Sequence, residues 1–416
     1  MITILQRLSV LGLITFLSFG CGQVPQTEVL QIWSHQGQEA ENRAMREIVA
    51  AFNETHAKLG IRATIEFFPD YQYTERLSIA AAAGDMPDVF GVDGPTVAQF
   101  VESGLLHPLS DYFSDAELDD FLDTIINQGT IDGVLYTLGA FDSALILYYD
   151  RVVFDEVGIE SPPFGEAWDW QTFLDACQQL KEHGISPVSL HMNVTADEWF
   201  TYAFSPLIWS GEGHLIDTDA NQIEGVLNSP ANIATLTKWQ ALFTEGFAAR
   251  NPMNPNPFGA GETAMDWNGH WMARSHFEAK GHRLGVMPLP KIGDQPAAAS
   301  GSWSWAIAAT TDKTDTAVRW IRWITDPETG IVPIVNAGGA VPSRQSAFEF
   351  FPEYEEDPFR LFRFLLESYG RSRPQTPLYP NLTQQFAAAV RDIAQGADVE
   401  ERLNQAASAV QRLADR

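Results

Sequence analysis

Cysteine is nearly absent from the sequence: Cys21 and Cys177 are the two among 416 residues. Cys21 closes an apolar leader, so Cys177 has no partner in the rest of the chain, and an internal disulfide framework is excluded. Apolar residues such as Trp170, Phe173 and Leu180 repeat around Cys177 at helical spacing. That pattern favours a buried structural thiol over a nucleophile.

Basic residues are scarce as well. The chain has 26 Lys and Arg against 54 Asp and Glu, which gives a formal net charge of -28. So acidic a protein repels nucleic acid and anionic lipid, because both are bound through cationic side chains. Anionic small ligands are disfavoured too, although a local arginine could hold one. A neutral polyhydroxyl ligand meets no such penalty.

Long apolar runs are missing beyond the N-terminal region. There, Arg7 precedes an apolar run over residues 8–19, which is too short to span a membrane and has the layout of a secretory signal. Its end at Cys21 resembles a bacterial lipoprotein signal. That resemblance implies a signal over residues 1–20, an acylated Cys21 and a tether over residues 21–28. Secretion without a lipid is the alternative, and either route leads to the periplasm or the cell surface.

Enzyme and metal signatures are also missing. The sequence has no phosphate-loop glycine-lysine motif, no nucleophile elbow and no metalloprotease histidine pair. A loose dinucleotide match at residues 259–264 follows a segment with three prolines, which cannot form the buried strand that such a site needs. We therefore expect no catalytic residue, no cofactor and no metal, with His35, His191 and His270 as the remaining metal-ligand candidates. A glycosidase stays open, because 54 carboxylates contain some suitable pair by chance.

What the sequence does contain is an α/β alternation in its first quarter. Apolar strand patterns at residues 29–33, 61–67 and 88–92 are separated by helical patterns that begin near Glu39 and Thr74. This order predicts a parallel sheet with crossover helices, and 416 residues predict two lobes rather than one core. Ligands of such sheets lie beyond the carboxyl ends of the strands.

An aromatic stretch, "GETAMDWNGHWM" over residues 261–272, surrounds the ordinary turn signal Asn268-Gly269. It resembles the extracellular solute-binding proteins of carbohydrate ABC importers, of the maltose- and trehalose-binding type. Further matches follow in chain order over residues 28–416: "AAAGDMPDVFGVD", "SGLLHPLSDYF", "GVLYTLGAFDSALILYYDRVVFDEVGI", "AWDWQTF", "LGVMPLPKIGDQ", "GSWSWAIAAT" and "RPQTPLYPNL". The resemblance implies a two-lobed α/β periplasmic-binding-protein fold. Each lobe is expected to be a mainly parallel sheet flanked by helices, with a hinge and a ligand cleft between the lobes.

The resemblance also implies how the chain is divided and what it does. Lobe 1 is expected at residues 29–138 plus about 290–336, and lobe 2 at 139–289 plus about 337–416. The ligand would be a disaccharide or oligosaccharide, such as trehalose, maltose, sucrose or glucosylglycerol. A monomeric receptor would close on it and deliver it to the transmembrane subunits of the permease. A secreted glycosidase, or a receptor for another solute such as glycerol phosphate, is the alternative.

Sugar chemistry explains which residue types such a cleft uses. Carboxylates accept hydrogen bonds from hydroxyls, arginine donates to hydroxyl oxygens, and indole rings cover the C–H face of a pyranose. The implied ligand-binding residues are Trp33, Ser34, His35, Gln36, Asp93, Asp142, Ser143, Asn268, Trp271, Gly301, Trp303 and Arg373.

Several of these residues have a structural alternative. Asp93 could serve an Asp-Gly turn, Asp142 could be a satisfied loop carboxylate, and Arg373 could form a surface salt bridge. Two further tryptophans are interpreted as core residues: Trp267, which alternates with Trp271, and Trp305, which is expected to be buried in its strand.

Overall fold

The computed structural model describes residues 27–416. The predicted leader, Cys21 and most of the predicted tether lie outside the described residues. Within the described part, no helix combines the length and the apolar character needed to cross a membrane.

The described residues form fifteen strands, several of them only two or three residues long. In chain order they are β1 (Glu28–Gln36), β2 (Ile61–Pro69), β3 (Val89–Asp93), β4 (Thr130–Ile131), β5 (Val134–Leu135), β6 (Thr137–Leu138), β7 (Phe141–Asp142), β8 (Leu145–Asp150), β9 (Ser186–Ser189), β10 (Thr263–Gly269), β11 (Leu284–Met287), β12 (Ala298–Ser300), β13 (Trp303–Ile307), β14 (Val341–Pro342) and β15 (Gly370–Ser372).

The same residues form fifteen α-helices. They are α1 (Glu39–His56), α2 (Asp70–Ala83), α3 (Val97–Glu102), α4 (Asp115–Leu118), α5 (Asp123–Gly129), α6 (Arg151–Val157), α7 (Trp170–Glu182), α8 (Asp197–Ser210), α9 (Pro230–Thr244), α10 (Ala273–Lys280), α11 (Thr314–Ile324), α12 (Val332–Gly338), α13 (Phe359–Tyr369), α14 (Tyr379–Ala394) and α15 (Val399–Ala414).

The first sheet has the strand order β2-β1-β3-β13-β6. β1 pairs in parallel with β2 and β3, through the crossover helices α1 and α2. This confirms the predicted alternation over the first quarter of the chain. Apolar β3 is buried along Val89–Val92, and its carboxyl end carries Asp93 to the edge of the sheet.

The second sheet has the order β11-β8-β10-β9. β8 runs antiparallel to both β10 and β11, and β13 of the first sheet runs antiparallel to both of its neighbours. The expectation of mainly parallel sheets therefore holds only for the β2-β1-β3 portion of the first sheet, the β9–β10 pair of the second and the separate β12–β15 pair. A strand that enters a sheet from the other lobe needs no crossover helix, and it can run in either direction.

The chain passes between the sheets more than once. Residues 139–144 connect β6 of the first sheet to β8 of the second, and residues 288–302 connect β11 back to β13. A short antiparallel ribbon of β7 and β14 lies on the first of these passages. The exact division of the chain into lobes stays a prediction. In the structure, α13 packs with the core that contains first-sheet residues, whereas α14 and α15 pack with the core of the second sheet.

The residues predicted to be structural lie in the core. Trp267 is fully buried and donates its indole N–H to the Ala203 carbonyl at 3.0 Å, and Trp305 is also buried. Cys177 is buried on α7, and burial raises the pKa of its thiol. These interpretations are confirmed.

Candidate functional site

Asp93 ends β3 directly opposite Trp303 of β13. Its two carboxylate oxygens accept hydrogen bonds from Arg373, from Nη2 to Oδ1 at 2.9 Å and from Nη1 to Oδ2 at 3.0 Å. This is a bidentate, charge-assisted pair, which is among the strongest and most directional arrangements available to side chains. Two residues separated by 280 positions in the sequence thus meet at the carboxyl edge of the first sheet.

Arg373 joins that edge to the second lobe's core. Its side chain is only 3% exposed, and Nη1 also donates to Glu198 at the start of α8. Its guanidinium lies 4.8 Å from the ring centre of Tyr202, and Tyr379 donates its hydroxyl to Glu198 at 2.5 Å. Burial lowers the pKa of the guanidinium, but the neighbouring carboxylates outweigh it and hold the pKa of Arg373 well above its usual value. The surface salt bridge considered for Arg373 is therefore not what the structure shows.

Asp142 lies on the passage between the sheets and is fully buried. Its Oδ1 accepts from the backbone N–H of Ser143 at 2.7 Å and of Gly301 at 2.9 Å, while Oδ2 accepts from Thr124 at 2.5 Å. Burial raises the pKa of its carboxyl despite these donors. Asp142 thereby fixes the Gly301 loop beside Arg373, and it is a satisfied carboxylate in this conformation.

Ser143 extends the same contacts into the second sheet. Its hydroxyl lies 2.9 Å from the Tyr202 hydroxyl and 3.0 Å from His270 Nδ1. Burial lowers the pKa of His270 to about 3, so the imidazole is neutral at physiological pH. Ser143 therefore links Asp142, Tyr202 and His270 at the junction of the two sheets.

Trp271 is half-buried and lies within 6.0 Å of the ring of Tyr202 and 6.3 Å of Trp199. Its indole covers the backbone of Gly269, where an added Cβ would come within 2.2 Å of the ring. The prediction of a turn at Asn268-Gly269 is wrong, since both residues belong to β10 and Gly269 has a φ of -94°. Gly269 is needed for close approach of the indole and not for a positive φ.

Trp303 and His35 form a second aromatic surface, on the first-sheet side. Their rings stack with centroids 3.7 Å apart and planes inclined by 14°. Burial lowers the pKa of His35 to about 3, which keeps it uncharged, and its Nδ1 is buried without a hydrogen-bond partner among the described residues. The stack therefore presents neutral aromatic surface beside Asp93.

Four predicted residues lie outside this cluster of contacts. Trp33 packs edge-on against Phe68, Ser34 is buried in β1, and Gln36 is exposed at its end. Asn268 is buried in a separate hydrogen-bond network with His191 and Asp266. Their binding roles stay predictions.

That separate network is centred on Asp266. His191 Nε2 lies 2.6 Å from its Oδ1, and His276 Nε2 lies 2.8 Å from its Oδ2. Burial raises the pKa of Asp266, but the two histidines outweigh it and hold the pKa far below its usual value. No group of three or more His, Cys, Asp or Glu able to hold a metal is found in residues 27–416, so His191 and His270 have no metal-ligand set there.

Sequence reasoning missed several residues that build the cluster. Glu198 and Tyr202 lie one helical turn apart on α8, which is a visible spacing, but nothing in it points to Asp93. Gln128 clamps the Gly301 loop through Ser302, donating to its carbonyl at 2.6 Å and accepting from its N–H at 2.8 Å. These partners are separated by more than a hundred positions, beyond the reach of local patterns.

The space beside Arg373 is small. A cavity of about 10 Å³ is lined by eight residues, namely Gly94, Pro95, Gln128, Ser300, Gly301, Ser372, Arg373 and Gln375. That volume is close to the minimum for one water molecule. A larger ligand therefore requires these groups to move apart.

Residues 36–331 match the bacterial extracellular solute-binding protein family. The chain belongs to this family, as the resemblance implied. A binding protein of Brucella abortus (strain 2308) is 23% identical over 190 residues, which is 45% of this chain and 44% of that protein. The match thus spans less than half the length of that curated relative.

Solved structures show the same fold. The GacH receptor of Streptomyces glaucescens, described in complex with acarbose, superposes with a TM-score of 0.80 at 18% identity, covering 93% of this chain and 98% of that one. UgpB of Mycobacterium tuberculosis, in complex with glycerophosphocholine, gives 0.79 at 20% identity, covering 94% and 99%. The two-lobed periplasmic-binding-protein fold is confirmed, and it is shared by proteins with chemically different ligands.

Proposed function

We propose that this chain is the substrate-binding component of an ABC sugar importer, which captures an uncharged disaccharide or oligosaccharide between its lobes and delivers it to the permease. The observation that carries the proposal is the junction of the two sheets. There, Asp93 and Arg373 meet, with the Trp303–His35 stack on one side and Trp271 on the other. The chain binds and releases its ligand, and no bond is made or broken.

The groups at this junction match the two kinds of surface that a pyranose offers. Asp93 and Glu198 supply acceptors, and Arg373 holds both carboxyl groups in place through its planar fork. The rings of Trp271 and Trp303 supply apolar surface for C–H faces, and both are only half-buried. A micromolar dissociation constant needs about -8 kcal/mol, within the reach of a few such contacts.

Capture requires the lobes to separate and close again. The cavity of about 10 Å³ beside Arg373 cannot hold a sugar ring. The passages at 139–144 and 288–302 connect the sheets and are the places where a hinge would act. A ligand favours the closed form only through its greater affinity for that form.

The same proposal includes the location and assembly of the protein. It places a lipid on Cys21, anchors the chain in the periplasm or at the cell surface as a monomer, and leaves its closed form free to contact the permease. Mass spectrometry of the membrane-bound protein tests the anchor, since a mature N-terminus without acyl chains at Cys21 would contradict it.

The binding proposal is tested with a thermal-shift panel of trehalose, maltose, sucrose, glucosylglycerol, polyols and glycerol phosphate. Hits are then measured by calorimetry. We expect at least one neutral saccharide to raise the melting temperature and to be recovered unchanged after long incubation. Release of a smaller sugar would instead support a glycosidase. Binding confined to glycerol phosphate would contradict the proposed ligand class.

A further inference from the structure

Glu198 and Asp93 come from opposite sides of the junction and share one arginine. Asp93 ends a strand of the first sheet, whereas α8, which begins with Asp197 and Glu198, packs its other residues into the core of the second sheet. Arg373 contacts both carboxylates, with Nη1 donating to each of them. The arginine is therefore held between two acids before any ligand arrives.

The charges of this trio do not balance. Two carboxylates face one guanidinium, and buried Asp142 lies on the other side of the Gly301 loop. Burial raises the pKa of Glu198 to about 7, the Asp93 carboxylate adds to the rise, and Arg373 opposes it. A phosphate approaching Arg373 would find both terminal nitrogens already engaged, and it would meet the carboxyl groups of Asp93 and Glu198 within a few ångströms of the guanidinium.

The shared fold does not predict whether a cleft accepts a phosphate-bearing ligand, because one structural relative is described with acarbose and another with glycerophosphocholine. We propose that Glu198 is a specificity-determining residue of the cleft: together with Asp93 it saturates Arg373, so that the cleft admits uncharged hydroxyl ligands and rejects ligands that carry a phosphate. This inference rests on the proposed function, which supplies the location of the binding cleft. It deepens that function by excluding phosphate-bearing solutes as ligands.

The test compares Glu198→Gln with Asp197→Asn. Asp197 is the preceding residue on the same helix, but it pairs with Arg391 at the surface, so its loss removes the same charge without touching Arg373. Glycerol 3-phosphate and inorganic phosphate are the probes, titrated by calorimetry into each folded variant. We expect the wild type and Asp197→Asn to bind neither probe measurably. Glu198→Gln should bind glycerol 3-phosphate at least about tenfold more tightly, and added salt should weaken that gain.

The link to Arg373 is checked with the double variant Glu198→Gln/Arg373→Met, in which the gained phosphate binding should disappear. Equal phosphate affinity in Glu198→Gln and Asp197→Asn would overturn the proposal. Tight phosphate binding by the wild type would overturn it as well, even if no variant folds. The phosphate titrations use no saccharide, so they stay readable if the saccharide panel fails and the proposed function with it.

Discussion

Asp93 and Asp266 are two strand acids with very different surroundings. Asp93 is the last residue of β3 and pairs with Arg373, which lies on a distant segment of the chain. Arg373 also pairs with Glu198. Asp266 lies inside β10, is fully buried, and accepts from two imidazoles. In the sequence both stand among apolar and aromatic residues, in "VFGVDG" and "AMDWNG".

The difference shows that the role of each aspartate depends on the residues it pairs with and not on the residue type itself. The contact between Asp93 and Arg373 joins elements from separate parts of the fold, and a ligand hydroxyl can take the place of one of its hydrogen bonds. The contacts of Asp266 stay among the second sheet and elements next to it, where His276 of α10 is fully buried and Tyr148 of β8 packs against it. Asp266 therefore stabilises the strand that precedes Trp271, whereas Asp93 is the acid to which we assign binding in the proposed function.

The largest expected effect comes from Asp266→Ala, which leaves two buried imidazoles without their acceptor. Breaking a buried pair in this way costs about 3–5 kcal/mol. Asp93→Ala should cost clearly less, because Arg373 keeps Glu198 as a partner. Urea denaturation of both variants measures the free energies of unfolding. Equal losses in the two variants would remove the distinction between a structural and a binding acid.

Much of the fold could be predicted from the sequence because its causes are local. Alternating apolar residues in β2 and the apolar run of β3 specify strands, and the glycine stop after α2 ends that helix. Trp267 is fully buried, in a strand whose seven residues are all buried. These signals act over a few residues, where periodicity is informative.

The site was only half predictable for the opposite reason. Asp93, Trp303 and Arg373 were found through motif resemblance, whereas Glu198 was not, because its role depends on a contact with a residue 175 positions away. The prediction of a turn at Asn268-Gly269 was wrong because glycine is required there by the closeness of the Trp271 ring and not by the backbone conformation. The first case depends on a contact between distant segments, whereas the second depends on where the Trp271 ring lies over a residue only two positions away.

Trp271→Ala tests whether the residue that follows β10 contributes to ligand binding. We expect the affinity for the saccharide found in the panel to fall by about 1–3 kcal/mol, the range measured for aromatic stacking on planar ligands. Trp267→Phe is the matched control, since Trp267 lies on β10, four residues before Trp271, but in the core. It should lower the free energy of unfolding and leave the affinity of the folded protein unchanged. Calorimetry that finds equal affinity in wild type and Trp271→Ala would refute a pocket role for Trp271.

Gly269→Ala tests whether β10 positions that indole. The new methyl group would lie 2.2 Å from the Trp271 ring, so the ring must move. Overpacking of this kind costs about 1–3 kcal/mol, and a displaced half-buried ring keeps the cost near the lower end. We expect weaker saccharide binding with a modest loss of melting temperature. A variant with wild-type affinity would show that the ring does not need its present position.

The smallest expected effect concerns pH, and it separates the neutral histidines from Asp266. Burial lowers the pKa of both His35 and His270 from 6.5 to about 3, so between these values the unfolded chain binds more protons than the folded one. The contribution of these two histidines to stability should therefore fall as the pH drops below 6.5, whereas the pKa of Glu198, raised by burial to about 7, acts in the opposite direction between 4.5 and about 7. The lowered pKa of Asp266 acts in the same direction as the histidines, but only below the ordinary carboxyl range, so the histidines account for the loss at mildly acidic pH.

His270→Gln should flatten the stability profile between pH 6.5 and about 4 and move the acid midpoint by roughly half a unit. The control is His183→Gln, since His183 is exposed at the end of α7 and its loss should leave the profile as it is. Urea denaturation at a series of pH values gives the slope for each variant. A His270→Gln profile with the same slope as the wild type would mean that His270 takes up a proton in the folded state. The assignment of an uncharged aromatic surface to the cleft would then be wrong at acidic pH.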